Sequence, residues 1–148
     1  MMKRVLGSVL AGAALLVCLP VAAELLPGSV YRATVTAPGG IQTSFCYTFA
    51  DGGIFQVYNP TLRRTVSGTW QSLVPPVNTP GTAVGFQASA TVLGVPTTYV
   101  GLSYTSQGLT QFFPPGNAVL TGVAVSTING SPVPAYFTAI LDSTCLPN

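Results

Sequence analysis

Charge is what this sequence has least of: Asp, Glu, Lys and Arg make up 5% of its 148 residues, and histidine is absent. The only lysine is Lys3, and the only acids are Glu24, Asp51 and Asp142. General acid–base catalysis draws mainly on histidine or on paired carboxylates with tuned pKa values, and neither set is present. Activation of a Ser or Thr nucleophile needs a base, for which there is no good candidate. Without histidine, two or three cysteines lack the further ligands that zinc usually takes. Glycosidase, hydrolase and metalloenzyme chemistry therefore lack their parts, and no cofactor is implied. A cyclase or isomerase that works by cavity shape alone needs little ionisable chemistry, and that reading stays open.

Long helices are missing too. No stretch after residue 24 carries a sustained helical stripe, because Gly, Pro and β-branched residues are spread evenly along it.

The N-terminus is different in kind. Lys3 and Arg4 precede an apolar run from Val5 to Leu19, and Val21 and Ala23 suit the two positions that a signal peptidase reads. A secretory signal over residues 1–23, cleaved after Ala23, is the expectation; it places the protein in the periplasm or outside the cell. A membrane anchor would need roughly twenty apolar residues, more than this run offers before Pro20. A lipoprotein would use Cys18, but Val17 is bulkier than the small residue that normally precedes such a cysteine.

Residues 24–148 then form one domain whose charges balance, with Arg32, Arg63 and Arg64 against the three acids. A chain with no basic surplus offers no row of phosphate contacts, so nucleic acid is an unsuitable partner. The adjacent Arg63 and Arg64 read as a solvated corner. Two cysteines survive cleavage, Cys46 and Cys145, and an even pair in an oxidising compartment normally bonds. Closing a loop of nearly the whole domain stabilises it by on the order of 4 to 5 kcal/mol in the chain-entropy model.

Strands are the remaining element, and abundant Thr and Val suit them. The clearest alternation puts Ile41, Thr43, Phe45, Tyr47 and Phe49 on one face and Gln42, Ser44, Cys46 and Thr48 on the other. Val30 to Ala37 precedes it across a Pro38-Gly39-Gly40 turn, and Asp51-Gly52-Gly53 leads on to Ile54–Tyr58, ended by Asn59-Pro60. Further strands are expected at Val66–Leu73, Ala83–Leu93, Pro96–Tyr104, Leu109–Phe113, Ala118–Ile128 and Val133–Leu141. The longest loop is expected at Val74–Gly81, and Asn129-Gly130 is the strongest hairpin signal.

Eight or nine strands joined by such short turns make an all-β antiparallel up-and-down meander. Nothing resembles the long crossover of a Greek key, and closure removes edges that a chain so poor in charge could not protect. A small closed barrel is expected rather than a sandwich. Cys46 is out of phase with Phe45 and Tyr47 and points outward, so its bridge to Cys145 would staple the C-terminal tail to the outer wall.

In outline this resembles the calycin group of lipocalins, avidins and fatty-acid-binding proteins. The opening Pro27-Gly28-Ser29-Val30-Tyr31-Arg32 is loosely similar to a lipocalin first strand, with Val30 where a Trp would plug the base. Gly68-Thr69-Trp70 looks like that motif but falls in the fourth strand, and no arginine near the C-terminus packs on a tryptophan. The resemblance implies a barrel with a ligand cavity, and carries over no binding residues.

Tyr31, Phe45, Tyr47, Phe49, Tyr58, Trp70, Phe86 and Tyr99 are either core filler or the lining of a cavity. Tyr47, Trp70 and Tyr99 are the ligand candidates, since each brings an apolar face and a polar handle. Three function classes follow. A non-catalytic module would bind a small apolar ligand in the barrel and report it through Trp70 fluorescence. A structural or surface-assembly protein would have a filled core and would associate with itself or with a cell-envelope partner. A small outer-membrane barrel is the third class, against which stand the non-aromatic C-terminus and the lack of alternating long and short loops.

Overall fold

The fold is known from a computed structural model that describes residues 28–73, 84–105 and 118–147. The signal segment 1–23, the loop expected over 74–81 and the strand expected over 109–113 lie outside the described residues. Among the described residues there are eight strands: β1 (Ser29–Thr36), β2 (Gln42–Ala50), β3 (Ile54–Asn59), β4 (Arg64–Ser72), β5 (Val84–Val92), β6 (Val95–Thr105), β7 (Ala118–Ile128) and β8 (Ser131–Leu141). Each pairs antiparallel with the next, and β8 returns to β1, so the sheet closes into a barrel.

The registers show how strongly the strands are staggered. Pairing runs from Ser29 to Phe49, Phe55, Gly68, Ala90, Thr97, Ser126 and then Val133. Val133 lies three positions before Tyr136, the partner of Thr36, so the circuit ends past the far end of β1. That is a stagger of about ten residues, which an eight-stranded barrel meets by tilting its strands about 40° to the axis.

Turn chemistry sets the hairpins at one end of the barrel. Asn129 and Gly130 both take positive φ, as the two-residue turn requires. The β5–β6 turn is centred on Leu93-Gly94, one residue earlier than the expected Gly94-Val95, and it holds Leu93 at φ 53°. Asn59 ends β3 by accepting hydrogen bonds at Oδ1 from the backbone N–H groups of Thr61 (2.9 Å) and Leu62 (3.1 Å). The opposite end carries the short 3-10 turn Asp51–Gly53 and the C-terminal tail.

Inside, large and small side chains are complementary. Tyr31, Tyr47, Phe49, Phe55 and Phe86 are fully buried, each worth about 1.5–3 kcal/mol of apolar burial. Phe49 meets two rings edge to face, Trp70 at 5.4 Å and Phe86 at 5.2 Å between ring centres. The rings fit because Gly101 and Gly122, paired across β6 and β7, leave room for them. A Cβ on Gly101 would lie 3.0 Å from the Phe86 ring, and one on Gly122 would strike Phe137. Tyr58 departs from the expected lumen set: it pairs with Cys46 on the outer face and packs against the disulfide.

The seam between β8, β1 and β2 is fastened from outside. Cys46 and Cys145 are bonded, with Cα atoms 5.7 Å apart, and the tail buries both. The Asp142 backbone N–H bonds to the Val30 carbonyl, continuing the ladder. Asp142 also accepts hydrogen bonds from the Thr144 hydroxyl and from Arg32 Nε (2.7 Å). The Thr144 hydroxyl bond and then the Arg32 bond lower its pKa from 3.8 to about 2. A depressed carboxylate contributes stability that is present above its ordinary pKa and lost as pH falls through the folded value. The urea midpoint should therefore fall between pH 4 and pH 2 in the natural protein, and Asp142→Asn should flatten that limb while lowering the midpoint at pH 7.

Candidate functional site

Aromatic rings from β2 and β3 fill the middle of the barrel, but not the end that holds the two-residue hairpins. There Phe45 and Tyr47 face a wall of small side chains, Thr97, Ala124, Ser126 and Ala135, supplied by β6, β7 and β8. Above Tyr99 and Phe137, whose rings meet Tyr47 from that wall, it carries no further ring, and an open recess of about 270 Å³ is left. Val35, Val92, Val95 and Val133 complete its sides. Protein interiors pack near the density of organic crystals and leave few voids larger than a water. A void of this size therefore marks a place where the core stops.

The polar groups in the recess are few. Thr97 Oγ1 and Ser126 Oγ lie 2.9 Å apart and bond to each other, and Thr97 also donates to the Val95 carbonyl. Tyr47 and Tyr99 form the floor, ring centres 5.5 Å apart and nearly perpendicular. Burial raises the pKa of both phenols, most of all Tyr47, and each responds to the other's hydroxyl. The two hydroxyls nevertheless do not meet the geometry of a formed hydrogen bond, and the buried Tyr47 hydroxyl has no partner among the described residues. Tyr31, deeper in the barrel, is likewise pushed up to about 12 by burial.

Two of the three ligand candidates read from the sequence, Tyr47 and Tyr99, thus come together. Trp70 is elsewhere: its indole N–H donates to the Ala50 carbonyl (3.0 Å) beside the Asp51–Gly53 turn, and its ring packs on Phe49. Local alternation shows that a side chain faces the lumen, but not at what height along a tilted strand.

A second recess, of about 230 Å³, adjoins the first along Val92 and Leu93. Its floor is Val57 and Val66, and its rim carries Asn59 and Arg64. Leu93 borders both spaces and is 57% exposed. A branched, apolar residue with positive φ is strained and uncommon, and such outliers gather at functional sites. The signal for it was available: Leu stands where a turn of this kind takes Asn or Asp. Asn59 and Arg64 had no such signal, because the pair Arg63-Arg64 gives no hint that the second residue starts a strand with lumen parity.

Among the described residues no group of three or more His, Cys, Asp or Glu side chains could hold a metal. Compared with protein-family models, curated proteins and solved structures, the chain matches none. Because the Tyr47 hydroxyl has no partner, Tyr47→Phe should leave stability within about 0.5 kcal/mol of the natural protein. A loss above about 1 kcal/mol in urea unfolding would mean that the hydroxyl is bonded in solution.

Proposed function

We propose that this is an exported, non-catalytic barrel that holds a small apolar ligand in the recess at its hairpin end. One observation carries the reading: large rings on one wall face four small side chains on the other across about 270 Å³ of apolar space, open to solvent beside Leu93. The volume is close to the lower bound of small-molecule sites, about 300 Å³, and the lining is apolar with a few polar atoms, as such sites are. The closed eight-stranded meander supports a likeness to the calycins, whose barrel ends serve this purpose. The Cys46–Cys145 bond fits an oxidising compartment, and with the N-terminal signal pattern it supports export.

Polarity speaks against the outer-membrane reading. The outward residues of β4 and β5, among them Thr65, Ser67, Gln71, Gln87 and Ser89, are exposed and hydrophilic, while the lumen is aromatic. A membrane barrel has the reverse arrangement, with an apolar outer band and a polar interior.

Self-association is a second reading, favoured by a separate feature. Val100, Val123 and Tyr136 are direct neighbours across β6, β7 and β8 on the outer wall, and Tyr136 is 69% exposed. Sedimentation velocity tests it: a sedimentation coefficient that rises with concentration, and ceases to rise in Tyr136→Lys, supports assembly through this wall, whereas a constant monomer value removes that reading.

The binding reading is tested with a neutral apolar fluorophore, N-phenyl-1-naphthylamine, read by its own emission because Trp70 is remote from the recess. The natural protein should bind it, and Ala124→Phe, which places a ring in the space, should weaken binding by at least about tenfold, since a filled pocket forfeits most of the ligand's burial. Binding unchanged by Ala124→Phe would remove the recess as the site.

A further inference from the structure

In an up-and-down barrel every second connection falls at the same end, so the β1–β2, β3–β4, β5–β6 and β7–β8 turns lie together. Each of them carries, in the turn or at the strand end beside it, one large exposed aliphatic: Ile41, Leu62, Leu93 and Ile128, between 45% and 68% exposed. Turns favour Gly, Pro, Asn, Asp and Ser for reasons of backbone conformation, none of which calls for an aliphatic chain. Single exposed apolar residues are ordinary on any surface, but one in each of four turns at one end is a pattern. The turns also converge. Pro38, Leu93 and Ile128, from three of them, line the larger recess, and Leu93 and Arg64 line the smaller one. The aliphatic tips therefore ring the mouth of the barrel.

Backbone strain singles out one tip. Leu93 is held at φ 53°, a conformation that Asn129 adopts at φ 51° in the β7–β8 turn and that suits Asn far better than Leu. An aliphatic kept there and left mostly exposed points to a use outside the barrel's own packing.

Charge is sorted along the same axis. Arg63 and Arg64 follow Leu62 at the tips, and neither has an ion-pair partner among the described residues. Asp51 and Asp142 lie at the opposite end, where the exposed Ile54 follows the Asp51–Gly53 turn and the exposed Leu141 is next to Asp142. Arg32 is also at that end, but Asp142 takes up its guanidinium. One end thus joins aliphatic tips to unpaired cations with no described acid, and the other sets its aliphatics beside carboxylates.

A surface that accepts aliphatic tips and guanidinium groups together is apolar beneath and anionic above, which is the layering of a bilayer with anionic headgroups. The boundary between headgroups and acyl chains takes side chains to a depth of about 5–10 Å, and binding there grows with apolar area and with attraction to anionic lipid. Arg side chains keep their heads at the polar level while their stems lie in apolar surroundings. A second copy of this end would instead set Arg63 and Arg64 against their own counterparts, with no described acid to offset them.

We propose that the hairpin end is a membrane-docking surface: Ile41, Leu62, Leu93 and Ile128 enter the headgroup region of an anionic bilayer, and Arg63 and Arg64 hold its phosphates. This is peripheral attachment by one end of the barrel, with the polar outer wall left in water. It does not depend on whether the recess holds a ligand.

The test is cosedimentation of the protein with vesicles of phosphatidylcholine and phosphatidylglycerol in about a 7:3 ratio, set against vesicles of phosphatidylcholine alone. The anionic vesicles should be bound at least about tenfold more tightly, since each Arg at such a surface is worth roughly fivefold, and added salt should remove most of the difference. The double variant Arg63→Gln, Arg64→Gln should remove it at low salt. Leu93→Asn should weaken binding at least about threefold, while its urea midpoint stays level or rises because Asn relieves the strained φ. Ile54→Thr, a comparable loss of exposed aliphatic surface at the opposite end, should leave binding within about twofold. No binding to the anionic vesicles, equal affinity for the two compositions, or equal losses in Leu93→Asn and Ile54→Thr would overturn the assignment. Self-association in sedimentation velocity that Leu93→Asn abolishes, with no binding to vesicles, would overturn it too and give the tips to a second copy.

Discussion

Closure of β8 onto β1 is the constraint on which the rest of this structure depends. From residue 65 to residue 141 the chain carries no Asp, Glu, Lys, Arg or His, so an open sheet would present long edges with no charge to guard them. The barrel removes both edges by pairing Tyr31–Thr36 with Tyr136–Leu141. The devices that resist reopening are gathered on this one seam: the Asp142–Val30 backbone bond, the Arg32–Asp142 ion pair and the disulfide that draws the tail across β2. A bridge between residues 99 apart in sequence constrains the unfolded chain strongly. Its position on the seam also ties the last strand to the first hairpin.

Once the sheet is closed, the lumen is divided by residue size. β2 and β3 bring Phe45, Tyr47, Phe49 and Phe55, while β6, β7 and β8 bring mostly Gly, Ala, Ser and Thr with Tyr99 and Phe137 among them, so that large side chains meet small ones. In the middle the match is complete, with Phe86 and Phe137 over Gly101 and Gly122. Towards the hairpin end the small wall continues through Ala124, Ala135 and Ser126 while the supply of rings stops at Phe45. One pattern thus produces both the packed core and the recess.

Much of this could be read from local sequence. Alternation and turn residues carry the meander, the Asn129-Gly130 hairpin and the outward phase of Cys46, and the even cysteine count carries its bond to Cys145. Properties fixed only by closure could not be read in the same way. The height of Trp70 in the lumen depends on a stagger of about ten residues accumulated over eight pairings. Tyr58 looks like one more lumen aromatic by residue type, yet its pairing with outward Cys46 settles its face. The Leu93 turn slipped by one residue because Gly94 suits either position of a positive-φ pair. Arg64 was hidden by its neighbour, since two like residues in a row give no sign of where a turn ends and a strand begins.

The chemistry of the lumen and of its rim are linked by solvation. Burial that keeps Tyr31, Tyr47 and Tyr99 protonated would penalise any other charge placed beside them. A charged group is therefore penalised less at the mouth, where Arg63 and Arg64 have no ion-pair partner among the described residues. Leu93, exposed and held at positive φ, borders both recesses at this mouth.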